Sequence, residues 1–385
     1  MKRLIFIFFC LTGFYHVTQS QTISHTGNRG ASKVLPVDRH ATRETVNLYN
    51  NLHKLVDKGI MFGHQDDLAY GVKWKYVPGK SDVKELVGEY PAVYGWELGN
   101  LEHDSLTNLD SVPFDKVKNF IRDAYERGGV NTISWHNDNP VNLASSWDTT
   151  HGGVASILPG GSKHVMYKTW LDRLAIFMLD LKGKKGELIP VLFRPYHELT
   201  GNWFWWGPNF CTPTEYKLLW RFTVDYLRNV KEVHNLLYVY NTGDFSSKEI
   251  FLERYPGDDV VDMLSFDSYQ YGNPQTDSSF YKKVNYCLTV LEDVAKEKNK
   301  LAAFAETGFE KTPYKLWWTE TLGKLLKGRK LSYVLVWRNA GLMPNGNLHY
   351  YIPQTEDVSA NDFKKFYGQE NILFEKKVAK EKLYQ

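Results

Sequence analysis

Short runs of β-branched and aromatic residues alternate along the chain with longer amphipathic stretches. The short runs are bounded by Gly, Pro, Asn or Asp, and this pattern predicts buried strands. We predict eight of them, at Ile60–Gly63, Ala92–Leu98, Val130–Trp135, Ile189–Pro195, Leu236–Asn241, Val261–Phe266, Leu301–Glu306 and Tyr333–Trp337.

Apolar residues recur at helical spacing between these strands. The predicted helices are Thr45–Asp57, Asp82–Glu89, Asp115–Arg127, Lys163–Leu181, Thr214–Lys231, Phe280–Lys298 and Tyr314–Lys327. The connection between the fifth and sixth strands offers only Glu249–Tyr255, a short helix at best. Strands that alternate with helices in this way predict an α/β protein with a closed (β/α)8 TIM barrel, a single catalytic domain over residues 41–385.

The N-terminus has the pattern of an export signal. A basic start at Lys2 and Arg3 precedes the apolar run Leu4–Phe14, and small residues near Ser20 offer a cleavage site. We expect a signal peptide over residues 1–20 and a flexible, polar lead over residues 21–40. The apolar run is too short to span a membrane as a helix, so the chain is predicted to be exported, either secreted or periplasmic.

The cysteines add little to this picture. Cys10 could be a lipidation site, but Phe8 and Phe9 precede it where small residues are expected, which favours a secreted or periplasmic protein over a lipoprotein. Cys211 and Cys287 could form one disulfide in an oxidising compartment, and their spacing leaves that open.

Composition narrows the class of partner. The formal net charge is only +3 and charged residues make up 24% of the chain, so no broad field is available to bind nucleic acid or an anionic membrane. Aromatic residues reach 15%, with 12 Trp and 24 Tyr. Flat rings with polar edges suit the faces of sugars, so the expected partner is neutral.

Two glutamates lie at the C-terminal ends of predicted strands, where barrel enzymes have their catalytic residues. Glu198 and Glu306 directly follow the fourth and seventh predicted strands and enter turns that contain glycine. These strands lie across the barrel mouth from each other, so both carboxyls could converge on one cleft, as hydrolysis of a glycosidic bond requires. From position alone, a helix-capping or salt-bridged surface Glu is an equal alternative for each.

Longer motifs around these glutamates resemble glycoside hydrolase family 26. The segment Arg194–Gly207, which reads RPYHELTGNWFWWG, resembles the acid/base motif of that family, and Phe304–Gly308 resembles its nucleophile motif. Further similar segments are Phe62–Gln65, Tyr94–Glu97, Ser134–His136, Ser265–Tyr269 and Val336–Ala340, so the resemblance covers residues 42–370. It implies a retaining double displacement with Glu198 as acid/base and Glu306 as nucleophile, their carboxyls about 5 to 5.5 Å apart. Glu198 should then have a raised pKa, from the surrounding aromatics and the charge of Glu306.

The same resemblance implies a set of substrate-binding residues. They are His136, His197, Trp203, Tyr269, Trp337, Arg338 and Trp96. Tyr269 is expected to hold the nucleophile, Trp203 and Trp337 to lie against sugar rings, and Arg338 to bind one subsite further toward the non-reducing end.

Structural alternatives remain for several of these residues. His197 could be a histidine satisfied inside the rim, Tyr269 a core tyrosine, Arg338 a salt-bridge partner and Trp96 ordinary rim packing. Trp205 and Trp206 are expected to pack the loop. At Glu97 the family commonly shows Asp, which puts the neighbouring subsite in doubt.

The resemblance implies an endo-β-1,4-mannanase that acts on mannan, glucomannan or galactomannan. We expect the protein to be a monomer. A β-glucanase or an exo-acting mannobiohydrolase of the same family, and a non-catalytic polysaccharide-binding barrel, remain alternatives. The histidines are scattered singly and no phosphate-binding loop or dinucleotide motif occurs in the sequence, so neither a metal nor a cofactor is expected.

Overall fold

Eight parallel strands close into a barrel in the computed structural model, which describes Met1 and residues 34–385. The strands are β1 Ile60–Gln65, β2 Val93–Glu97, β3 Val130–Trp135, β4 Val191–Pro195, β5 Leu236–Thr242, β6 Met263–Gln270, β7 Leu301–Phe309 and β8 Tyr333–Val336. Each strand pairs with the next, and β8 returns to pair with β1, where Met61 lies opposite Tyr333. All eight predicted strands and the (β/α)8 fold are confirmed.

Helices surround this barrel. They are α1 Arg43–Leu55, α2 Asp82–Val87, α3 Phe114–Glu126, α4 Gly153–Ile157, α5 His164–Asp180, α6 Pro213–Asp225, α7 Lys248–Leu252, α8 Ser279–Lys298, α9 Lys324–Leu326, α10 Ala360–Tyr367 and α11 Glu375–Ala379. The predicted helices are all present, although the last one starts with π-helical turns over Trp317–Gly323 and ends in α9. The sequence did not predict α4, α10 or α11.

The barrel strands alternate between two apolar layers. Inward residues such as Met61, Leu192 and Leu335 form one core, which the apolar side of α1 joins. Outward residues such as Phe62 and Phe193 pack beneath the helices. Burial on both faces explains why the strands read as nearly continuous apolar runs.

The ordered domain begins earlier than the sequence predicts. Residues 34–40 were assigned to the flexible lead, but the Val37 amide donates to the Asp262 carboxylate at 2.8 Å and buried Asp38 accepts from His234 at 2.8 Å. These bonds attach the segment to the barrel. The predicted signal peptide and the rest of the lead, residues 2–33, lie outside the described residues.

Cys211 and Cys287 are buried free thiols, and within residues 34–385 neither takes part in a disulfide.

Across the described part of the chain, no helix combines the length and the apolar character needed to span a membrane.

Candidate active site

A cleft of about 590 Å³ opens at the C-terminal ends of the strands. Its floor carries Glu198 and Glu306, and its walls come from the loops after β3 to β6 and from β8. Neither glutamate caps a helix or lies on the outer surface. The alternative of a capping or surface Glu is therefore excluded for both.

The backbone of the β4 turn aims Glu198 at the cleft. Tyr196 and Glu198 have φ values of +49° and +52°, a left-handed conformation that side chains rarely adopt. The Asn241 side chain from β5 stabilises it by accepting from the Glu198 amide at 2.8 Å. At the other end of the side chain, Trp203 Nε1 donates to Glu198 Oε2 at 2.6 Å.

The surroundings of Glu198 in the cleft raise the pKa of its carboxyl. Burial, followed by the negative charge of Glu306, raises the pKa of Glu198 to about 7, while the bond from Trp203 acts in the opposite direction. A carboxyl with that pKa is substantially protonated near neutrality, as a general acid must be.

Glu306 is held at both oxygens. Arg194 Nη2 from β4 donates to Oε1, and the Tyr269 hydroxyl donates to Oε2 at 2.7 Å. Arg194 also binds Asp267 at 2.8 Å, so one buried guanidinium joins β4, β6 and β7. These bonds fix the carboxylate in one orientation, and the predicted contact of Tyr269 with Glu306 is present.

The two glutamates lie close together. One carboxylate oxygen each from Glu198, Asp267 and Glu306 come within 4.8 Å of one another. Inverting glycosidases keep their two carboxyls about 6.5 to 9.5 Å apart to admit a water, whereas retaining ones need about 5 to 5.5 Å. The spacing therefore suits direct attack by one carboxylate on a sugar that the other protonates.

A pair of histidines adjoins the carboxyls. Glu97, the residue that departs from the family pattern, accepts from His136 Nδ1 at 2.6 Å and from the His136 amide at 2.8 Å. Burial lowers the pKa of His136, but the charge and hydrogen bond of Glu97 and the charges of Glu306 and Glu198 together outweigh it and leave that pKa raised. Burial and the charges of His136 and Arg194 hold the pKa of His197 well below its usual range.

The two rings are in contact, with His136 Nε2 and His197 Nε2 3.0 Å apart. The opposite directions of their pKa shifts favour His136 as the donor and His197 as the acceptor. Both residues line the cleft. Glu97 thus orients His136 and holds its charge instead of lining the cleft itself.

Aromatic rings form much of the cleft wall. Trp203 and Trp337 line it, as the sequence predicts. Trp147, Tyr271 and Tyr351 also line it, and the sequence analysis missed them. Trp147 stacks on His136 with ring centroids 4.9 Å apart and an interplanar angle of 14°. Its position in a Gly- and Asn-rich loop after a barrel strand was the signal that could have found it.

Arg338 lies beyond Trp337 in an adjoining cavity of about 590 Å³. It forms a salt bridge with Asp110 and donates to the Tyr70 hydroxyl at 3.2 Å. Arg338 is therefore a salt-bridge partner, as the structural alternative expected, and it also lies next to the cleft.

Trp96 does not reach the cleft. It points outward from β2, stacks on Phe120 of α3 and donates from Nε1 to Asn131 at 2.8 Å. The prediction that Trp96 binds sugar is therefore wrong. Side chains alternate along a strand, and that of Trp96 lies on the helix side of the barrel. Trp205 and Trp206 are buried in the β4 loop, as expected.

Two groups of carboxylates and histidine lie close enough to be compared with metal sites. One is the Glu198, Asp267 and Glu306 cluster, where Arg194 supplies the positive charge. The other is Glu102, His103 and Asp138, where His103 pairs with Asp138 at 2.8 Å. The first group contains both glutamates that the sequence predicts to be catalytic, and its Asp267 and Glu306 carboxylates are paired with Arg194.

Known proteins resemble this chain in sequence and in fold. The sequence model described as glycosyl hydrolase family 26 matches residues 37–324. A solved structure described as a GH26 beta-mannanase from Bacteroides ovatus is 47% identical, with a TM-score of 0.82, over 86% of this chain and 95% of that one.

Two curated relatives carry the same name, mannan endo-1,4-beta-mannosidase. The protein from Bifidobacterium adolescentis is 36% identical over 70% of this chain, and the one from Thermothelomyces thermophilus is 29% identical over 69%. The matched part spans only 27% and 51% of those two proteins.

Proposed function

The chain belongs to glycoside hydrolase family 26, and from that premise we propose that it is an endo-acting β-1,4-mannanase that hydrolyses mannan, glucomannan or galactomannan with retention of configuration. The observation that carries the proposal is the separation of less than 4.8 Å between an oxygen of Glu198 and one of Glu306. So close an approach of the two carboxyls favours retention, because an inverting enzyme holds them further apart to admit a water.

Glu198 acts first as the acid. Its pKa of about 7 keeps a substantial fraction of the carboxyl protonated near neutral pH, and this form protonates the departing glycosidic oxygen. Glu306 attacks the anomeric carbon and forms a glycosyl ester, and its orientation by Arg194 and Tyr269 favours this attack. Loss of its proton makes Glu198 the base that activates water to hydrolyse the ester.

The remaining lining residues are proposed to bind the sugar. His136 and His197 offer polar ring edges in the cleft, and Trp203 and Trp337 offer rings beside the two carboxyls. Arg338 is proposed to donate to a sugar hydroxyl on the non-reducing side, through the part of its guanidinium that Asp110 and Tyr70 leave free.

Mannan is proposed as the substrate because both curated relatives are named for it. The small net charge of +3 and the aromatic cleft agree with an uncharged polysaccharide. Export across a membrane, to the periplasm or the medium, and action as a monomer complete the proposal.

Substrate choice is tested by reducing-sugar release from β-1,4-mannan and from mixed-linkage β-glucan. We expect release from mannan, with oligosaccharides of several lengths appearing early from mannohexaose. Activity on the glucan alone would overturn the proposed substrate, and early release of disaccharide alone would overturn the endo mode.

The nucleophile is tested with Glu306→Ala, which should lower kcat about a thousandfold or more. Glu310→Ala is the matched control, since Glu310 is exposed near the same loop and pairs only with His349 at 3.3 Å. The anomer formed first, followed by NMR, should be β. A first product in the α form would refute retention.

A further inference from the structure

One wall of the cavity next to Arg338 carries two lysines, Lys73 and Lys75. A short antiparallel hairpin follows β1, with Tyr70–Gly71 pairing with Trp74–Lys75. We call residues 70–76 the basic hairpin, because Lys73 and Lys75 flank Trp74 on it and it carries no acidic residue. Lys73, Trp74 and Lys75 all line the cavity next to Arg338.

The two lysines are available to a ligand. Both are exposed, and the acidic groups on neighbouring elements are already engaged. Glu85 pairs with Lys80 at 3.0 Å, Asp115 with Lys118 at 3.0 Å, and Asp110 with Arg338. Among residues 34–385, no carboxylate forms an ion pair with Lys73 or Lys75, whose positive charges are therefore not neutralised.

The ring between them is fixed in place. Trp74 Nε1 donates to the Asp82 carboxylate at 2.6 Å, and Asp82 also accepts from the Val72 amide at 3.2 Å and from Asn339 at 2.7 Å. Gly71 is required here, because a Cβ at that position would lie 2.2 Å from Trp74 Nε1. A rigid indole suits stacking on a sugar, since little conformational entropy is lost on binding.

This cavity continues the cleft on the side away from the leaving group. Glu198 and Trp203 follow β4, whereas the cavity is built from loops after β1, β2 and β8. The two spaces are adjacent, because Trp337 lines the cleft and the next residue, Arg338, lines the cavity. A chain that leaves from the side of Glu198 therefore extends its non-reducing part toward the basic hairpin.

We propose that the basic hairpin is a distal subsite for an anionic sugar, a hexuronic acid carried by the non-reducing part of the glycan. Trp74 stacks on the ring, and Lys73 and Lys75 pair with its carboxylate. The proposal rests on the proposed function, because it needs a glycan in the neighbouring cleft. A neutral mannan is then a substrate, and an acid-bearing one is a preferred substrate.

Internal competition gives the direct test. The enzyme receives an equimolar mixture of a neutral manno-oligosaccharide and the same oligosaccharide with its non-reducing terminal C6 oxidised to a carboxylate. Mannotetraose, mannopentaose and mannohexaose are each tried, because the length sets which subsite the charged ring reaches. The ratio of product formation is the ratio of the two kcat/KM values.

For at least one length we expect a ratio of about three to ten in favour of the acidic sugar at low salt, falling toward one at about 0.5 M salt. The double variant Lys73→Gln, Lys75→Gln should show a ratio of about one, with kcat/KM for the neutral sugar within about twofold of the parent. The matched control is Lys184→Gln, Lys185→Gln, two exposed lysines that line a different cavity, beside Arg127 and Gly128.

The outcomes separate the two proposals. Hydrolysis of the neutral and acidic sugars at equal rates for all three lengths overturns the distal subsite and leaves the mannanase proposal standing. A preference that survives in the Lys73, Lys75 variant also overturns it, because the charge would then be recognised elsewhere. Hydrolysis of neither sugar removes the proposed function and the distal subsite together.

Discussion

The surroundings of Glu198 have opposite effects on the pKa of its carboxyl. Burial and the charge of Glu306 raise its pKa to about 7, whereas the bond from Trp203 Nε1 lowers it. In its proposed role as the acid, Glu198 must be protonated, so kcat/KM should fall as the pH rises through about 7. The Trp203 indole therefore lowers the pH at which activity is lost, in addition to its proposed contact with the sugar.

Trp203→Phe keeps a ring but removes the donor to the ionised form of Glu198. The pKa of Glu198 should rise, and the alkaline limb of the kcat/KM profile should move to higher pH. The profile is measured on mannohexaose, with Trp147→Phe as a control that lines the cleft without bonding to Glu198. A midpoint that stays in place or moves to lower pH would contradict this role.

The Glu97–His136 pair links stability to pH. The folded pKa of His136 is raised, so its contribution to stability is complete below the pKa of an unfolded histidine, about 6.5, and is lost as the pH rises through the folded value. Glu97→Gln removes the charge that holds the proton. In the variant, folding at low pH must release that proton or bury an uncompensated charge.

Urea unfolding of Glu97→Gln at pH 5 and pH 8 measures the effect. We expect a loss of about 2–4 kcal/mol at the lower pH and a smaller loss at the higher one. Glu85→Gln, which removes only the exposed pair with Lys80, should lose less than about 0.5 kcal/mol at either pH. Equal destabilisation of Glu97→Gln at both values would show that the His136 proton is not involved.

At the scale of elements, the loop between β3 and α4 builds a wall of the cleft from polar contacts of its own. The buried side chain of Asn139 donates to the Asp148 and Thr150 carbonyls at 2.9 Å and accepts from the Val141 amide at 3.0 Å. This network closes the loop around Trp147 and presents its ring to the cleft while the ring stacks on His136. The loop is thus arranged before the substrate arrives.

If the Trp147 ring, which lines the cleft, binds sugar, Trp147→Ala should raise KM for mannohexaose about tenfold and change kcat much less, since Trp147 forms no hydrogen bond with Glu198 or Glu306. Steady-state kinetics on mannohexaose give both values. Leu143→Ala is the control, a residue of the same loop that is exposed and does not line the cleft. A fall in kcat with KM unchanged would place Trp147 in the chemical step.

At the scale of the whole molecule, catalysis and closure occupy opposite ends of the barrel. The segment Ile372–Leu373 pairs with the start of β1, and Glu375 of α11 accepts from Tyr94 at 2.6 Å and from Arg127 at 2.9 Å. These contacts lie at the N-terminal ends of the strands. In a barrel of this kind that end supports stability, whereas the C-terminal end carries the active site.

Glu375→Ala should lower the free energy of unfolding by about 1–3 kcal/mol, because the Tyr94 hydroxyl loses its acceptor and the Arg127 guanidinium its counter-charge, and only the bond from Arg127 to the Tyr94 hydroxyl remains between them. The kcat and KM on mannan should not change at a temperature where the variant is folded. Chemical unfolding and kinetics on the same preparation check both statements. Altered kcat would mean that the two ends of the barrel are coupled.

Local patterns were sufficient for the eight strands and for the two glutamates. The strands are buried on both faces, so their apolar runs stand out between polar turns, as at Val191–Pro195 and Leu301–Phe309. Glu198 lies three residues after the first of these strands and Glu306 lies near the end of the second, and the motif resemblance predicts their roles. The short helices α4 and α11 were missed because five residues carry too little periodicity to be recognised.

The sequence by itself determined the barrel, its order of strands and the presence of two carboxyls at strand ends, because those features depend on neighbouring residues along the chain. Only the tertiary structure decided which side chains meet. It brought Arg194 and Tyr269 to Glu306, paired Glu97 with His136, turned Trp96 outward against Phe120 and placed Lys73 and Lys75 beside Arg338. These contacts join residues far apart in the chain, and their distances follow from barrel closure and register, which no local pattern encodes.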